Sequence, residues 1–523
     1  MYNGTILDAI HGPIKLSEIE KWVISQKLFS RLRRIKQNTF LYYVFPSANH
    51  TRFEHSIGVM NMANEIYDNA NQNCHRGRIR NEKHHESENN LFFHVKDKLK
   101  EDEILLQELR LAALLHDIGH GPLSHTFDKF SISPNQLNKI IQADNDIKKY
   151  SAFFDEVINK DKKTVHHETI SCLFIIKLIS KLKEENKSGN ANFSGEQSEI
   201  IEKIDVSHIL KMIESRVKAI PDIIVEGVDY TSFFSSIISS FPIDADRMDY
   251  LYRDSYFSGV NYGYYDRSRL LMSFIPVIVE KKVYLAIKES GIDAVIRFIQ
   301  SRTHLFNQVY SHKTNRATSC MLAYACRMID TPVIPAQNYD ELENFYWENS
   351  DEVFLWKTLY TCTKESKKEG EALNDLHERK LWKRIYESKI VITKSINAGD
   401  QESIGKAQKT FEKFADKAII ELEKDGVTIG YDLFPSDTFK DYDKSEIKIV
   451  KKIQKDDGIN YSLAENWRTY NKEFQSLYFH VYFFRLFLKR SFHSPNEFNE
   501  QRKKAIDTFI GSINVLSVFD TIQ

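Results

Sequence analysis

The sequence is poor in cysteine, which limits the structural roles that its thiols can fill. Its 523 residues include five cysteines, an odd number, and none forms a C-x-x-C pair. These features argue against a disulfide framework and against a thiolate zinc site. They favour a reducing compartment, and we therefore expect a cytoplasmic protein. The five residues are Cys74, Cys172, Cys320, Cys326 and Cys362.

The sequence also lacks an excess of charge of one sign and any long apolar run. Its 72 lysines and arginines nearly balance its 73 aspartates and glutamates, so the overall charge does not indicate nucleic acid as a partner. The most apolar stretches, LFIIKLI and YFHVYFFRLFL, are too short or too interrupted to span a bilayer. The N-terminal MYNGTILDAIHGPIKL has no signal-peptide pattern. We expect a protein that is neither secreted nor embedded in a membrane.

Apolar spacing dominates what is present and predicts a mainly α fold. Hydrophobic residues make up 42% of the chain, enough for a substantial core. Three- and four-residue spacing predicts helices in segments such as LSEIEKWVISQKLFSRLRRI, EDEILLQELRLAALLHD, GIDAVIRFIQSRTHLFNQVYSHKTNRATSCMLAYACRMI and LFLKRSFHSPNEFNEQRKKAI. The segments GVTIGYDLF, SEIKIVKKI and HVYFFRLF have the β-branched and aromatic content of strands. We predict a helical core over residues 1–330 and a smaller helical and α+β lobe over residues 331–523.

Three polar, charged stretches interrupt the apolar pattern. They cover residues 75–103, 183–200 and 395–410. Low hydrophobicity with many charges is typical of surface loops, and we expect loops or mobile insertions at all three places. His84 and His85, in the first stretch, are expected to be solvated loop residues and not ligands.

The stretch LAALLHDIGHGPLSH concentrates polar chemistry at the end of an apolar helix. His116 and Asp117 follow two leucines directly, and Gly119 then releases the chain. An imidazole beside a carboxylate suits a divalent metal, but two ligands cannot hold one alone. Further candidates are His55 in HTRFEHSIGV and the four aspartates of FPIDADRMDYLYRD, namely Asp244, Asp246, Asp249 and Asp254. Taken singly, each of these is more often a helix cap or a satisfied polar residue.

Taken together and in this order, the motifs HTRFEHS, HDIGHGPLSHTFD and IDADRMDYLYRD resemble the HD-domain metal phosphohydrolases. The amino-acid sequence of these motifs is similar to that of the dNTP triphosphohydrolase branch of this family, and the similarity extends from DAIHGPIKL to LHERKLWKRIYES. The resemblance implies an HD-domain helical core and the metal ligands His55, His116, Asp117 and Asp246. The expected cofactor is a divalent ion (Mn, Mg, Fe, Ni or Zn), and four protein ligands leave positions open for water and a phosphate oxygen.

The same resemblance implies a set of catalytic residues beside the metal. His120 would contact the α-phosphate, and His125, held by Asp128, would serve as the general acid or assist the nucleophile. His167 of HHETIS matches a further active-site histidine, although His166 stands directly beside it. The alternative for His125 is a purely structural hydrogen bond.

The resemblance also implies how the substrate is held. Arg52, Arg247 and Arg302 would grip the triphosphate, because the planar guanidinium suits bidentate phosphate contacts. The positions expected to hold the sugar 3′-hydroxyl are Gln37, Tyr250 and Asp254, and Tyr310 would lie under the sugar and exclude a 2′-hydroxyl. The implied reaction converts a dNTP and water to a deoxynucleoside and triphosphate. The sequence does not indicate which base is preferred. The alternative for Tyr310 is a structural role in the hydrophobic core.

Two further expectations and two competing functions accompany this interpretation. Family members assemble, so we predict a homo-oligomer (dimer, tetramer or hexamer), and an activating nucleotide would have to use surfaces other than a SAM domain. A role in antiviral defence by draining the dNTP pool is an association with the family only.

The competing functions are an HD phosphodiesterase or nuclease, which would need an open basic groove, and a nucleotide sensor without activity. A sensor would be expected to lose ligands, whereas every matched position is filled.

Overall fold

A computed structural model of the chain describes residues 2–82, 102–238, 242–330, 332–363, 367–392, 398–435, 448–455, 458–464, 480–489 and 494–512. Helices dominate these residues and the sheets are small, so the predicted mainly α fold with a smaller α+β part is confirmed. None of the described helices is both long enough and apolar enough to cross a membrane.

Helices occur along the whole length of the described chain. The α-helices that build the fold around the site are Glu18–Ser25, Arg52–Glu82, Asp102–Leu115, Pro134–Ala143, Ser151–Val157, His167–Ser188, Gly195–Lys203, Val206–Ile213, Thr231–Ile238, Ala245–Ser258, Arg267–Leu271, Ile292–Leu305 and Lys313–Ala325. Those that follow are Tyr339–Glu348, Asp351–Val353, Tyr360–Thr363, Lys367–His377, Ala398–Lys424 and Pro495–Ser512. Short helices occupy Lys27–Ser30 and Asn145–Lys148, tight 3₁₀ turns occupy Arg31–Arg34, Leu41–Tyr43, Ser124–Phe130 and Glu289–Gly291, and π-helical turns occupy Phe306–Tyr310 and Phe354–Leu359.

Eleven described strands form three sheets. β1 (Tyr2–Asp8) and β2 (Gly12–Ser17) make an antiparallel hairpin. The second sheet has the order β10-β9-β6-β4-β3, with β5 also paired to β6. The third has the order β7-β11-β8. The remaining bounds are β3 Ile224–Val225, β4 Val228–Asp229, β5 Phe274–Val279, β6 Lys282–Lys288, β7 Lys383–Ile392, β8 Ile429–Pro435, β9 Lys448–Lys455, β10 Gly458–Ala464 and β11 His480–Leu488. The three strands predicted beyond residue 420 are thereby confirmed as β8, β9 and β11.

Local sequence signals place the helices that carry the site. The helix Ala245–Ser258 begins at Asp244, whose side chain accepts a hydrogen bond from Arg247 N, and it ends at Gly259 with φ 67°. The helix Arg52–Glu82 packs between Asp102–Leu115 and Ala245–Ser258. The run Leu111–Leu115 is fully buried, so the residues that follow it emerge in the interior and not at the surface.

The hydrophobic core has two main parts. The larger one begins at Ile14 and includes residues on both sides of position 330, among them Trp382. The smaller one joins β7, β8 and β11 to the helices Ala398–Lys424 and Pro495–Ser512. The domain boundary at residue 330 stays a prediction.

Two of the predicted loops are wrong. Residues 183–200 are mostly helical, because Ser188 ends one helix and Gly195 begins the next. Of residues 395–410, residues 398–410 belong to the helix Ala398–Lys424, and residues 395–397 lie outside the described residues. Of residues 75–103, the backbone of 75–82 continues a helix, and residues 83–101, with His84 and His85, lie outside the described residues. The long helices predicted from residue 291 to 329 and from 486 to 506 are each interrupted, by a π turn and by the end of β11 respectively.

Candidate active site

Two histidines and two aspartates converge at the inner end of the helix Asp102–Leu115. His55 Nε2 lies 3.1 Å from Asp246 Oδ1 and 3.7 Å from Asp117 Oδ2. His116 Nε2 lies 3.4 Å from Asp117 Oδ1 and 3.9 Å from Asp246 Oδ1. Nitrogen and oxygen ligands at these spacings, on buried or half-buried side chains, fit a divalent metal ion. The structure therefore brings together all four predicted metal ligands.

Hydrogen bonds from the far side of each ring aim the histidines at the aspartates. His116 Nδ1 lies 2.8 Å from the carbonyl oxygen of Ala113, which requires the proton on Nδ1. Its Nε2 is buried and has no hydrogen-bond partner among the described residues. His55 Nδ1 lies 2.8 Å from Asp249 Oδ2. Partners of this kind fix the tautomer that a metal needs, and the unpartnered Nε2 is the atom left for an ion.

The electrostatics around the cluster favour a cation. Burial alone would raise the pKa of Asp117, but His116 and Arg52 hold that pKa well below its ordinary value. Burial alone would lower the pKa of His55, yet Asp246 and Asp249 raise it to about 10. The two carboxylates therefore favour positive charge beside His55, and a metal ion bound there would take the place of a proton.

Asp249, a candidate ligand in the sequence that was not selected for the metal set, supports the cluster from beneath. Its side chain is fully buried and contacts His55, His11 Nε2 at 2.6 Å and Arg253 Nε at 2.7 Å. Arg253 pairs in turn with Asp8 at 2.9 Å. The available signal was its position one helical turn after Asp246, on the same face of the helix.

The three predicted catalytic histidines form a second group beside the first. The rings of His120 and His167 stack with centroids 3.6 Å apart, and the His125 ring lies 4.7 Å and 5.1 Å from them. His120 is fully buried, and neither ring nitrogen has a hydrogen-bond partner among the described residues. Burial and the charge of Arg52 hold the pKa of His120 well below its usual value. A neutral, unpartnered imidazole in this position is available for a ligand.

The prediction that Asp128 holds His125 is wrong. Asp128 Oδ2 lies 2.9 Å from His167 Nδ1, and within the described residues no hydrogen bond joins it to His125. Burial would lower the pKa of His167, but Asp128 raises it. His167 is buried, whereas the neighbouring His166 side chain is 45% exposed. His167 is therefore the histidine of this pair that faces the site.

A cavity of about 380 Å³ opens next to these histidines. Seven of the predicted residues line it, namely Gln37, Arg52, His125, Tyr250, Asp254, Arg302 and Tyr310. Arg247 is not among the lining residues, and its guanidinium pairs with Asp244 at the start of its own helix. Residues that the sequence analysis did not assign also line the cavity, including Asn38, Thr39, Phe306, Asn315 and Arg316.

Asp254, in the cavity wall, contacts three polar side chains. It accepts hydrogen bonds from Asn38 Nδ2 at 3.0 Å and from the hydroxyl of Tyr310, and it lies 2.6 Å from His50 Nε2. Burial and the Asp254 carboxylate raise the pKa of Tyr310 well above its usual value, so that the hydroxyl stays protonated and donates. His50 was missed because nothing local separates it from a buried structural histidine. The Oε1 atom of Gln37 is buried without a partner among the described residues.

Arg52 joins the cavity to the metal cluster. Its guanidinium pairs with Asp117, and its Nε donates to Ser124 Oγ at 2.8 Å. Directly before His125, Leu123 and Ser124 both have left-handed backbones, with φ 65° and 53°. Residues other than glycine adopt this conformation only when their surroundings impose it, so the neighbouring contacts determine where His125 lies.

Comparisons with known proteins are consistent with this arrangement. Residues 52–232 match the HD domain family and residues 266–452 match the HD associated region. An uncharacterized protein of Methanocaldococcus jannaschii is 30% identical over 68% of this chain and 59% of its own length. The human deoxynucleoside triphosphate triphosphohydrolase SAMHD1 is 26% identical over 77% of this chain and 58% of its own length. The chain thus spans about three fifths of the length of these relatives.

A solved structure shares the fold. A hypothetical protein from Aquifex aeolicus superimposes with a TM-score of 0.55 over 96% of this chain and 100% of its own, at 21% sequence identity.

Proposed function

Because this chain belongs to the HD-domain family, we propose that it is a metal-dependent deoxynucleoside triphosphate triphosphohydrolase. The reaction converts a dNTP and water to a deoxynucleoside and inorganic triphosphate. The observation that carries the proposal is that Arg52 pairs with Asp117 of the four-residue cluster and also lines the cavity, together with His125, Asp254 and Tyr310. Similarity to deoxynucleoside triphosphate triphosphohydrolases supports the choice of substrate class.

His55, His116, Asp117 and Asp246 would hold the ion, which supplies Lewis-acid polarisation of phosphate and a more acidic water. The protein residues account for the rest of the chemistry. Arg52 stands between the cluster and the cavity, where it can contact a phosphate oxygen without leaving Asp117. His120, buried and unpartnered, is placed to donate one hydrogen bond to the same phosphate.

His125 is the group that we assign to the proton transfer. When the bond between the α-phosphorus and the 5′-oxygen breaks, that oxygen needs a proton to leave as a hydroxyl. Burial and the charge of Arg52 lower the pKa of His125 to about 4, and the negative charge of a bound triphosphate would raise that pKa so that the ring takes up the proton from solvent before it donates it. His125 is the one member of the histidine group that lines the cavity. Asp128 acts one step further away, by orienting His167, whose ring lies 5.1 Å from the His125 ring.

The sugar end of the cavity favours a deoxyribose. Asp254 and Tyr310 are already hydrogen-bonded to each other, so the Tyr310 ring is held in one orientation. Asp254 and the unpartnered oxygen of Gln37 are acceptors for the 3′-hydroxyl. The 2′-hydroxyl of a ribonucleotide would have to fit against the fixed Tyr310 ring. Ribonucleotides are therefore disfavoured by steric contact and not by the loss of a hydrogen bond.

An activating nucleotide is the second binding event that we propose. A polar cavity of about 430 Å³, separate from the active site, is lined by the four cations Lys313, Arg379, Lys383 and Arg384. Lys313 is the first residue of its helix, so the helix dipole adds to the positive field. These features suit the phosphates of a nucleotide. Assembly as a homo-oligomer, a cytoplasmic location and an antiviral role remain predictions.

Product analysis tests the proposed reaction. The protein is incubated with Mn or Mg and with each dNTP and NTP, singly and in pairs, and the products are separated by chromatography. Deoxynucleoside plus triphosphate is the expected result, and a need for a second nucleotide would reveal activation. The double variant His116→Ala, Asp117→Ala should lose metal and activity, whereas the exposed pair Lys160→Ala, Asp161→Ala is the matched control. Monophosphate products would instead favour a phosphodiesterase or nuclease, and no product under any pairing would favour a sensor.

A further inference from the structure

The loop that carries His125 is held from the C-terminal half of the chain by one buried carboxylate. Asp351 has only 6% of its surface exposed. Its Oδ1 accepts a hydrogen bond from Leu123 N at 2.7 Å, and its Oδ2 accepts one from Lys36 N at 2.8 Å. The two oxygens of one side chain thus connect two segments that are far apart in sequence.

Both segments end in residues of the active-site cavity. Lys36 is followed by Gln37, and Leu123 stands two residues before His125; Gln37 and His125 both line the cavity. Ser124 Oγ donates to the carbonyl oxygen of Lys36 at 2.7 Å, which adds a direct link between the two segments. Moving either segment would therefore move a residue that faces the substrate.

The backbone at this point needs such support. Leu123 and Ser124 are consecutive left-handed residues without being glycine, a conformation that persists only where contacts impose it. Both backbone polar groups of Leu123 are hydrogen-bonded. Asp351 accepts a hydrogen bond from its N–H, and Thr39 Oγ1 donates one to its carbonyl oxygen at 2.8 Å. Hydrogen bonds from backbone N–H groups to a carboxylate are among the stronger neutral-donor bonds because the acceptor is charged.

We propose that Asp351 is a positioning residue for catalysis, which holds the 123–125 loop so that His125 faces the leaving oxygen. The inference rests on the proposed role of His125. Asp351 itself contacts none of the four residues of the metal cluster among the described residues, so its effect should fall on proton transfer and not on metal binding. It makes the C-terminal half of the chain part of the catalytic apparatus.

The test compares Asp351→Asn with the matched control Asp340→Asn, which makes the same chemical change at an exposed helical position in the same half of the chain. Turnover of the four dNTPs with Mn, metal content and hydrogen exchange of the segments 36–40 and 118–126 are measured for each. For Asp351→Asn we expect kcat to fall roughly 10- to 100-fold, with a smaller change in KM, unchanged metal content and faster exchange of both segments. Asp340→Asn should resemble the unaltered protein in kcat, KM, metal content and hydrogen exchange.

A second variant set separates positioning from general destabilisation. If Asp351 acts through His125, then Asp351→Asn should cost little further activity in a His125→Ala background, because the two losses are not additive. Fully additive losses, or unchanged exchange at both segments, would overturn the inference. Asp351→Ser, which keeps one acceptor oxygen, replaces Asp351→Asn if that variant gives no folded protein. If the unaltered protein hydrolyses no dNTP, the proposed function is refuted. Hydrogen exchange still decides whether Asp351 holds the loop, so the two failures can be told apart.

Discussion

Replacing Asp249 by asparagine should weaken metal binding without touching a metal ligand. The Asp249 carboxylate lies under His55, with Oδ2 2.8 Å from His55 Nδ1, and it pairs with Arg253 through both of its oxygens. Burial would raise the pKa of Asp249, but Arg253 and His11 hold it well below its ordinary value, so the group is charged. The substitution removes that charge and replaces one acceptor oxygen with an NH2 donor.

The magnitude follows from two effects. Loss of a carboxylate that orients a metal-bound histidine costs about 10- to 100-fold in metal affinity, or about 1.4–2.7 kcal/mol. Removing one partner of a buried ion pair costs up to about 3–5 kcal/mol of stability, and the lower end applies because Asp8 still pairs with Arg253. We therefore expect a folded but less stable protein.

Calorimetric titration with Mn and thermal unfolding with and without Mn would measure the two effects separately. Asp293→Asn, the same chemical change at an exposed helical position, is the matched control. Metal affinity equal to that of the unaltered protein would refute the reasoning that Asp249 orients His55. A loss of stability alone would leave Asp249 as a purely structural residue.

Three further substitutions test other contacts. A Cβ atom at Gly58 would lie 2.0 Å from Asp249 Oδ1, so Gly58→Ala should cost about 1–3 kcal/mol of unfolding free energy; a denaturant midpoint equal to that of the unaltered protein would contradict this. Tyr310→Ala should raise NTP turnover relative to dNTP turnover, and an unchanged ratio of the two kcat/KM values would remove Tyr310 from sugar selection. Burial would lower the pKa of His208, but its hydrogen bond to Glu108 raises that pKa. The protonated ring therefore stabilises the fold below about pH 6.5, and this stabilisation is lost as the pH rises through the pKa of His208 in the folded protein. His208→Gln should therefore lower Tm at about pH 6 more than at about pH 9, and an equal loss at both pH values would contradict the assignment.

The errors in the predicted fold have a common cause. Residues 183–188 and 398–410 have the polar, charged composition of loops, yet each belongs to a helix that also has buried apolar residues outside that stretch. In the helix Ala398–Lys424 the buried residues from position 409 onward are Phe411, Ala415, Ala418, Ile419 and Leu422, at helical spacing. A solvated helical turn and a surface loop can have the same composition, and only the tertiary contacts distinguish them.

The candidate site shows a similar division. His55, His116, Asp117 and Asp246 could be named from sequence, because a divalent metal restricts the residue types and their order identifies the motif. The partner of Asp128 was predicted wrongly, since His125 is three residues away in sequence whereas His167 is 39 residues away and yet lies 2.9 Å from it. Nearness along the chain is a poor guide to which groups meet in a folded interior.

By itself the sequence determined the mainly α class, the metal-ligand types and the cavity residues that belong to recognisable motifs, because periodicity and ligand chemistry are local properties of the chain. The tertiary structure alone decided which buried groups support them. Asp249 beneath His55 and His50 against Asp254 lie inside quoted motifs that did not reveal their contacts, and Asp351 under the His125 loop belongs to no motif. Their roles arise because folding places buried donors and acceptors from distant segments within hydrogen-bond distance, where each must find a partner.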